Sequence, residues 1–311
     1  MNDRANQRRA LALDAGFDAV RLETAVDFAM ASATSAPKDL SAFLADRLAG
    51  QAHAELLGPT KERGDTNGII VRNGYIVAEW GDTGRADMAL GITESFLATL
   101  VGVAHDRELI PDLDQPVGAL VDDGGYGAPE NAPITWTQSL RQTSEWQGTV
   151  FGLPDTAARA GGANRAINPA GTFWERNEVR LNRLALSLLH VWNEPLPDVL
   201  AREVMIPIGA TRSWRWHGYG DATVPIDGGE AQSVAGGGRW GGGLWISTRD
   251  LARFGYLYLR GGLWRERRVL SQEWVTSATA AGEINPNHGF SWWLNTDNAL
   301  WQSAPSDSFA A

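Results

Sequence analysis

The sequence predicts a mixed α/β protein, and three observations carry that expectation. Two short β-rich runs, residues 68–72 and 75–80, are joined by Asn73-Gly74, a strong short-range hairpin signal. Next, Leu97, Leu100, Val101 and Ala104 fall at i, i+3, i+4 and i+7, which predicts an amphipathic and mostly buried helix. Residues 134–226 then read mostly as helix and loop, and a strand-like run returns near the end, at 289–295. The division expected from this order is an α/β lobe built from 1–110 and 227–311, with a mainly helical lobe, 111–226, inserted into it.

Taken in order, residues 17–30 and 40–57 carry apolar side chains at helical spacing and are separated by a Ser/Pro-containing stretch. Gly58-Pro59 breaks the pattern ahead of the hairpin. After the buried helix, Pro111 and Pro116 and a Gly/Asp-rich loop lead to expected helices at 136–142, 177–192 and 197–205. Two glycine triplets, Gly236 to Gly238 and Gly241 to Gly243, flank Arg239-Trp240 and suit a tight loop lining a cleft. A helix is expected at 248–260 and another from Ser271, whose hydroxyl can cap it.

Composition bounds the function. At 311 residues and 43% hydrophobic, with 14 Trp, the chain can bury a large core. A net charge of −10 argues against nucleic acid or an anionic membrane surface as partner. No run of about 18 apolar residues occurs, and the first residues, MNDRANQRRALALD, are charged rather than signal-like, so a cytoplasmic location is expected. There is no Cys, which removes thiolate chemistry and Cys-based metal sites. His53, His105, His190, His217 and His288 are scattered without metal-ligand spacing, and no phosphate-cradling glycine motif is present. Neither a metal nor a cofactor is expected. Only Lys38 and Lys61 supply an amine, against 25 Arg.

The stretch GITESFLATLVGVA, from Gly91, and the loop after it ending in LDQPV resemble the active-site helix of the serine β-lactamase-like family. That family includes class C β-lactamases, penicillin-binding peptidases, esterases and amide hydrolases of the aminohexanoate-dimer type. GIIVRNGYIVAEWGDT, LRQTSEWQGTVFG, NEVRLNRLALSLLHVW, PIGATRSWRWHGY and GGGLWISTRDLARFGYLYL resemble further stretches of its esterase and amidase branch. The resemblance implies an antiparallel sheet flanked by helices, an inserted all-helical lobe and an active site between them. It also implies cleavage of esters or amides by acyl transfer, with a small ester or amide as ligand. The family's last motif, Lys-Thr-Gly or His-x-Gly, follows a stretch like SAPSDSFAA, so the resemblance further implies that the final strands and a covering helix are missing after Ala311.

The positions that carry chemistry in the family are changed. Its Ser-x-x-Lys reads Gly91, Ile92, Thr93, Glu94 here, so the nucleophile has no counterpart and a carboxylate stands in the place of the amine. Its Tyr, aligned through Trp174-Glu175 and Val179-Arg180, is Arg176, and a guanidinium stays protonated and cannot serve as a base. No catalytic residue is assigned on this basis. Gly91 keeps only a backbone N–H, half of an oxyanion hole. Glu94 and Arg176 are expected to face each other as an ion pair, within about 4 Å if formed. Ser95, Ser144, Asn177, Arg239 and Trp240 are the remaining cleft candidates, Ser144 with a structural role. A hydroxyl without an activating base is a poor nucleophile. Two functional readings follow: a hydrolase-family pseudoenzyme that has lost most or all turnover, and an active esterase or amidase with a relocated nucleophile.

Overall fold

The computed structural model describes residues 16–311, and the charged segment before them lies outside the described residues. Two helices come first among the described residues: α1, Ala19–Ala31, capped by the Asp18 carboxylate, and α2, Leu40–Leu48, capped by Asp39. The second is shorter than its apolar spacing suggested. Gly50 takes a left-handed φ of 77° just past its end, a conformation that stops a helix at little cost for glycine.

The hairpin forms where Asn73-Gly74 places it. Strands β1, Gly68–Arg72, and β2, Tyr75–Trp80, pair antiparallel, with φ of 50° and 82° at the two turn residues. It is a sheet of its own, however, and not the edge from which the buried helix departs. That edge is β3, Ala86–Met88. A 3₁₀ turn at Leu90–Ile92 leads into α3, Thr93–Asp106, whose residues from Thr93 to Ala104 are all buried. Phe96 stacks on Phe254 at 3.8 Å between ring centroids, and the Thr99 hydroxyl lies 2.7 Å from that of Tyr258. Gly102 lets Trp274 close on the helix, since a Cβ there would sit 2.3 Å from the indole.

The middle of the chain holds α4, Trp136–Leu140, the two-residue pair β4, Thr149–Val150, with β5, Leu153–Pro154, then α5, Glu178–Trp192, and α6, Leu196–Leu200, continued by a π turn at Ala201–Met205. The reading of this region as mostly helix and loop needs one correction. Arg215–Ile226 is a twelve-residue strand, β6, pairing with β7, Gly229–Val234, on one side and β8, Gly243–Ser247, on the other. Gly218, Gly220 and Pro225 interrupt its apolar pattern, and the register shift between Gly218 and Thr223 absorbs the irregularity. The resulting four-stranded sheet runs β3-β8-β6-β7 and is antiparallel throughout.

Helix α7, Thr248–Leu259, follows with Ser247 as its cap. The pair β9, Leu263–Trp264, with β10, Arg267–Arg268, leads to α8, Gln272–Ala278, capped by Ser271 as its position suggested. Of the strand-like run at 289–295, only β11, Trp293–Leu294, is extended and paired, with β12, Phe309–Ala310. The antiparallel, helix-flanked α/β class expected from the sequence is the class observed. Among the described residues, no helix is long and apolar enough to cross a membrane.

Candidate active site

The start of α3 is fixed by one residue of the sheet. The Ala89 N–H donates to the Leu244 carbonyl at 2.8 Å, and the Leu244 N–H donates to the Thr93 hydroxyl at 3.1 Å, so β8 holds the chain on both sides of Gly91. Leu90, in between, takes a φ of 50°, which costs on the order of 1 kcal/mol for a residue with a side chain. It is accommodated because Gly238 opposite has no Cβ; one built there would sit 2.9 Å from the Leu90 side chain.

Across from Gly91 the segment before α5 delivers Arg176. Its Nε donates to Glu94 Oε1 at 2.7 Å, its Nη2 bonds to the same oxygen, and Nη2 lies 3.6 Å from Glu178 Oε2. The ion pair expected between Glu94 and Arg176 is therefore formed. Burial pushes the Glu94 carboxyl up, to about 7, with Arg176 pulling it down and Glu178 adding to the rise. Burial also raises the Glu178 carboxyl, opposed chiefly by Arg176.

Arg176 is itself held from behind. Glu175 and Glu145, both with side chains 1% exposed, are bridged by Arg180 at 2.8 and 3.2 Å and by Arg165 at 3.0 and 2.9 Å. Asn177 caps α5 by accepting from the N–H groups of Val179 and Arg180, and its amide donates to the Asp155 carbonyl at 2.9 Å. The first glycine triplet exists to let a loop lie against this helix. A Cβ at Gly236 or Gly237 would come within 2.6 Å of Leu181 or Glu178, and Glu178 accepts the Arg239 backbone N–H.

Gly91, Arg176, Glu178, Gly238 and Arg239 line one pocket of about 380 Å³, completed by Leu44, Arg47, Leu48, Gln51, Leu90 and Ala158. Among the five further cleft candidates, Arg239 alone lines it. Ser95 is fully buried and donates to the Ser291 carbonyl at 2.7 Å, a bond that ties α3 to the chain before β11. Ser144 accepts weakly from the Trp146 N–H at 3.5 Å, Asn177 is a buried cap, and Trp240 is buried with its indole donating to the His53 carbonyl at 2.8 Å. These four point inward because their polar atoms are needed by buried backbone groups. Sequence reasoning gave no role to Glu178, Arg47 or Gln51. Glu178 was legible as a carboxylate two residues after Arg176, whereas the approach of α2 is a tertiary fact. Among the described residues, no group of three or more His, Asp or Glu could hold a metal.

A raised carboxyl makes folding proton-linked. Between its ordinary 4.5 and about 7, folded Glu94 binds a proton that the unfolded chain has released, so its contribution to stability falls as pH rises through that window. The loss amounts to up to about 3 kcal/mol. His288, buried and lowered to about 4, acts in the opposite sense between 4 and 6.5, which makes the difference from a variant the informative quantity. Urea unfolding at pH 5 and pH 7.5 is expected to show wild type losing stability relative to Glu94→Gln. A difference that stays flat with pH would show that Glu94 is not raised.

No family model matches the chain. Over 220 residues it is 27% identical to the 6-aminohexanoate-dimer hydrolase of Paenarthrobacter ureafaciens, a match covering 70% of this chain and 51% of the relative. The chain thus spans about half the length of the curated relative it matches. Its fold is similar to that of a Bacteroides dorei protein assigned as a β-lactamase, with TM-score 0.54, 18% identity and coverage of 72% of this chain and 71% of that one. It is also similar to the octameric penicillin-binding protein homologue of Pyrococcus abyssi, with TM-score 0.52, 17% identity and coverage of 73% and 60%. The motif resemblance, the antiparallel helix-flanked fold and the curated relative agree: the chain has a fold like that of β-lactamases and penicillin-binding proteins and is similar in sequence to an amide hydrolase of that kind.

Proposed function

We propose that this chain keeps the cleft of an ester- or amide-cleaving hydrolase but has lost the acyl-transfer step, and that it binds a small ligand rather than turning one over. The observation that carries the reading is the Glu94–Arg176 ion pair beside Gly91. Acyl transfer needs a nucleophile and a group that takes its proton. At this place there is no nucleophilic side chain, the carboxylate is occupied by a guanidinium, and the guanidinium cannot accept a proton. The nearby hydroxyls support the same reading. Those of Thr93, Ser95 and Thr99 are buried and bonded to the Leu244 N–H, the Ser291 carbonyl and the Ser95 carbonyl. Part of the proposal is that the ligand lies between the α/β lobe, expected at 1–110 with 227–311 and extended by β6, and the mainly helical lobe, expected at 111–226 and shortened by that strand.

The test is intact-mass spectrometry after exposure to a fluorophosphonate, beside turnover of a p-nitrophenyl ester, on a chain shown to be folded by circular dichroism. Neither adduct nor turnover is expected. A stoichiometric adduct on one Ser with turnover would overturn the reading in favour of a relocated nucleophile, and the labelled peptide would name it.

A further inference from the structure

Three arginines, Arg47, Arg176 and Arg239, line the pocket beside Gly91. Two carboxylates face them. Glu94 is bonded to Arg176, and Glu178 is shared between Arg176 and the Arg239 backbone N–H. Neither Arg47 nor Arg239 has a carboxylate within salt-bridge distance among the described residues; Arg47 lies over the Phe43 ring and Arg239 over the Trp240 ring. The pocket is thus at least one anion short, in a chain whose net charge is −10. Arg239 is also held ready. Its Nη2 donates to Gln51 Oε1 at 2.6 Å, while its Nε is buried with no hydrogen-bond partner. A buried donor left unpaired costs free energy that an incoming acceptor recovers.

Part of the lining is apolar. Leu44 and Leu48 of α2 are buried, and Leu90 completes that side. A planar fork of N–H donors matches a carboxylate, and an aliphatic wall matches a hydrocarbon chain. We infer that this pocket binds a small aliphatic carboxylate, its head group on Arg239, Arg47 and the free edge of Arg176, and its chain along Leu44, Leu48 and Leu90. This rests on the reading that acyl transfer is disabled, because Arg176, the cationic half of the ion pair at the resembling motif positions, also lines the anion site.

The test is isothermal titration calorimetry at pH 7 with hexanoate, hexanamide and inorganic phosphate, on wild type, Arg239→Gln and Arg47→Gln, each checked for folding by circular dichroism. Hexanoate is expected to bind saturably at one site, with hexanamide and phosphate at least about tenfold weaker, and each variant is expected to lose about tenfold for hexanoate but not for hexanamide. Absence of saturable hexanoate binding would overturn the inference. So would hexanamide or phosphate binding as tightly as hexanoate, or affinities unchanged in both variants. Ester turnover in the separate assay would overturn the disabled-hydrolase reading without touching these affinities, whereas an inactive chain that fails to bind hexanoate removes this inference alone.

Discussion

Gly91→Ser alone is expected to leave ester turnover at the level of the wild-type chain, on the order of 10⁶ below a competent member of the family. Steric exclusion is not the reason. A Cβ at Gly91 meets Arg176 Nη2 at 3.5 Å and Glu94 Oε1 at 3.8 Å, ordinary van der Waals contact, so the new hydroxyl has room beside the ion pair. What it lacks is a base. Lys38 pairs with Asp65 at 2.6 Å, and Lys61 donates to the Ala86 carbonyl, so neither lysine of the chain is available at the start of α3. Arg176 stays protonated, and the Glu94 oxygen nearest the new side chain already accepts two of its N–H groups. Initial rates with p-nitrophenyl butyrate, at matched concentrations of folded protein, check this. A rate clearly above wild type would show that Glu94 or a water can activate Ser at this position.

Arg180→Met is expected to cost about 3–5 kcal/mol of stability, the range seen when one partner of a buried ion pair is removed. The side chain is 4% exposed and its guanidinium bonds Glu175, Glu145 and the Trp146 carbonyl. Without it, two carboxylates that are each 1% exposed keep Arg165, 17% exposed, as their cationic partner among the described residues, with the Ala160 N–H still donating to Glu175. Equilibrium urea unfolding at pH 7.5 measures the loss, and a change below about 1 kcal/mol would show that the network is far less desolvated than its burial indicates. The same substitution is expected to loosen Arg176, because Glu175 precedes it directly and is anchored by this network.

Much of the molecule was legible without coordinates, and the legible parts share a property. The Asn73-Gly74 hairpin, the Ser271 cap and the burial of α3 are set by residues within a few positions of one another, where turn chemistry and 3.6-residue periodicity act directly. Strand β6 escaped because glycines and a proline blur its alternation, and only its neighbours β7 and β8 define it as a strand. The cleft shows the same division. The substitutions at Gly91, Glu94 and Arg176 could be read along the chain, and even the pairing of the last two followed from charge. The orientation of Ser95, Ser144 and Trp240 could not, since each turns inward to meet a backbone group that is distant or locally folded in a way sequence does not reveal.

The sequence by itself determined the fold class and which residues stand at the positions that resemble the family's motifs, Gly91, Glu94 and Arg176, because those are matters of local pattern and residue identity. Only the tertiary structure decided what surrounds them. Bringing α2, the start of α3, the segment before α5 and the glycine loop to one pocket sets the Arg176 guanidinium beside two buried carboxylates with two further arginines in the lining, and the free energy of such groups depends on which of them meet, away from water, at distances of a few ångströms.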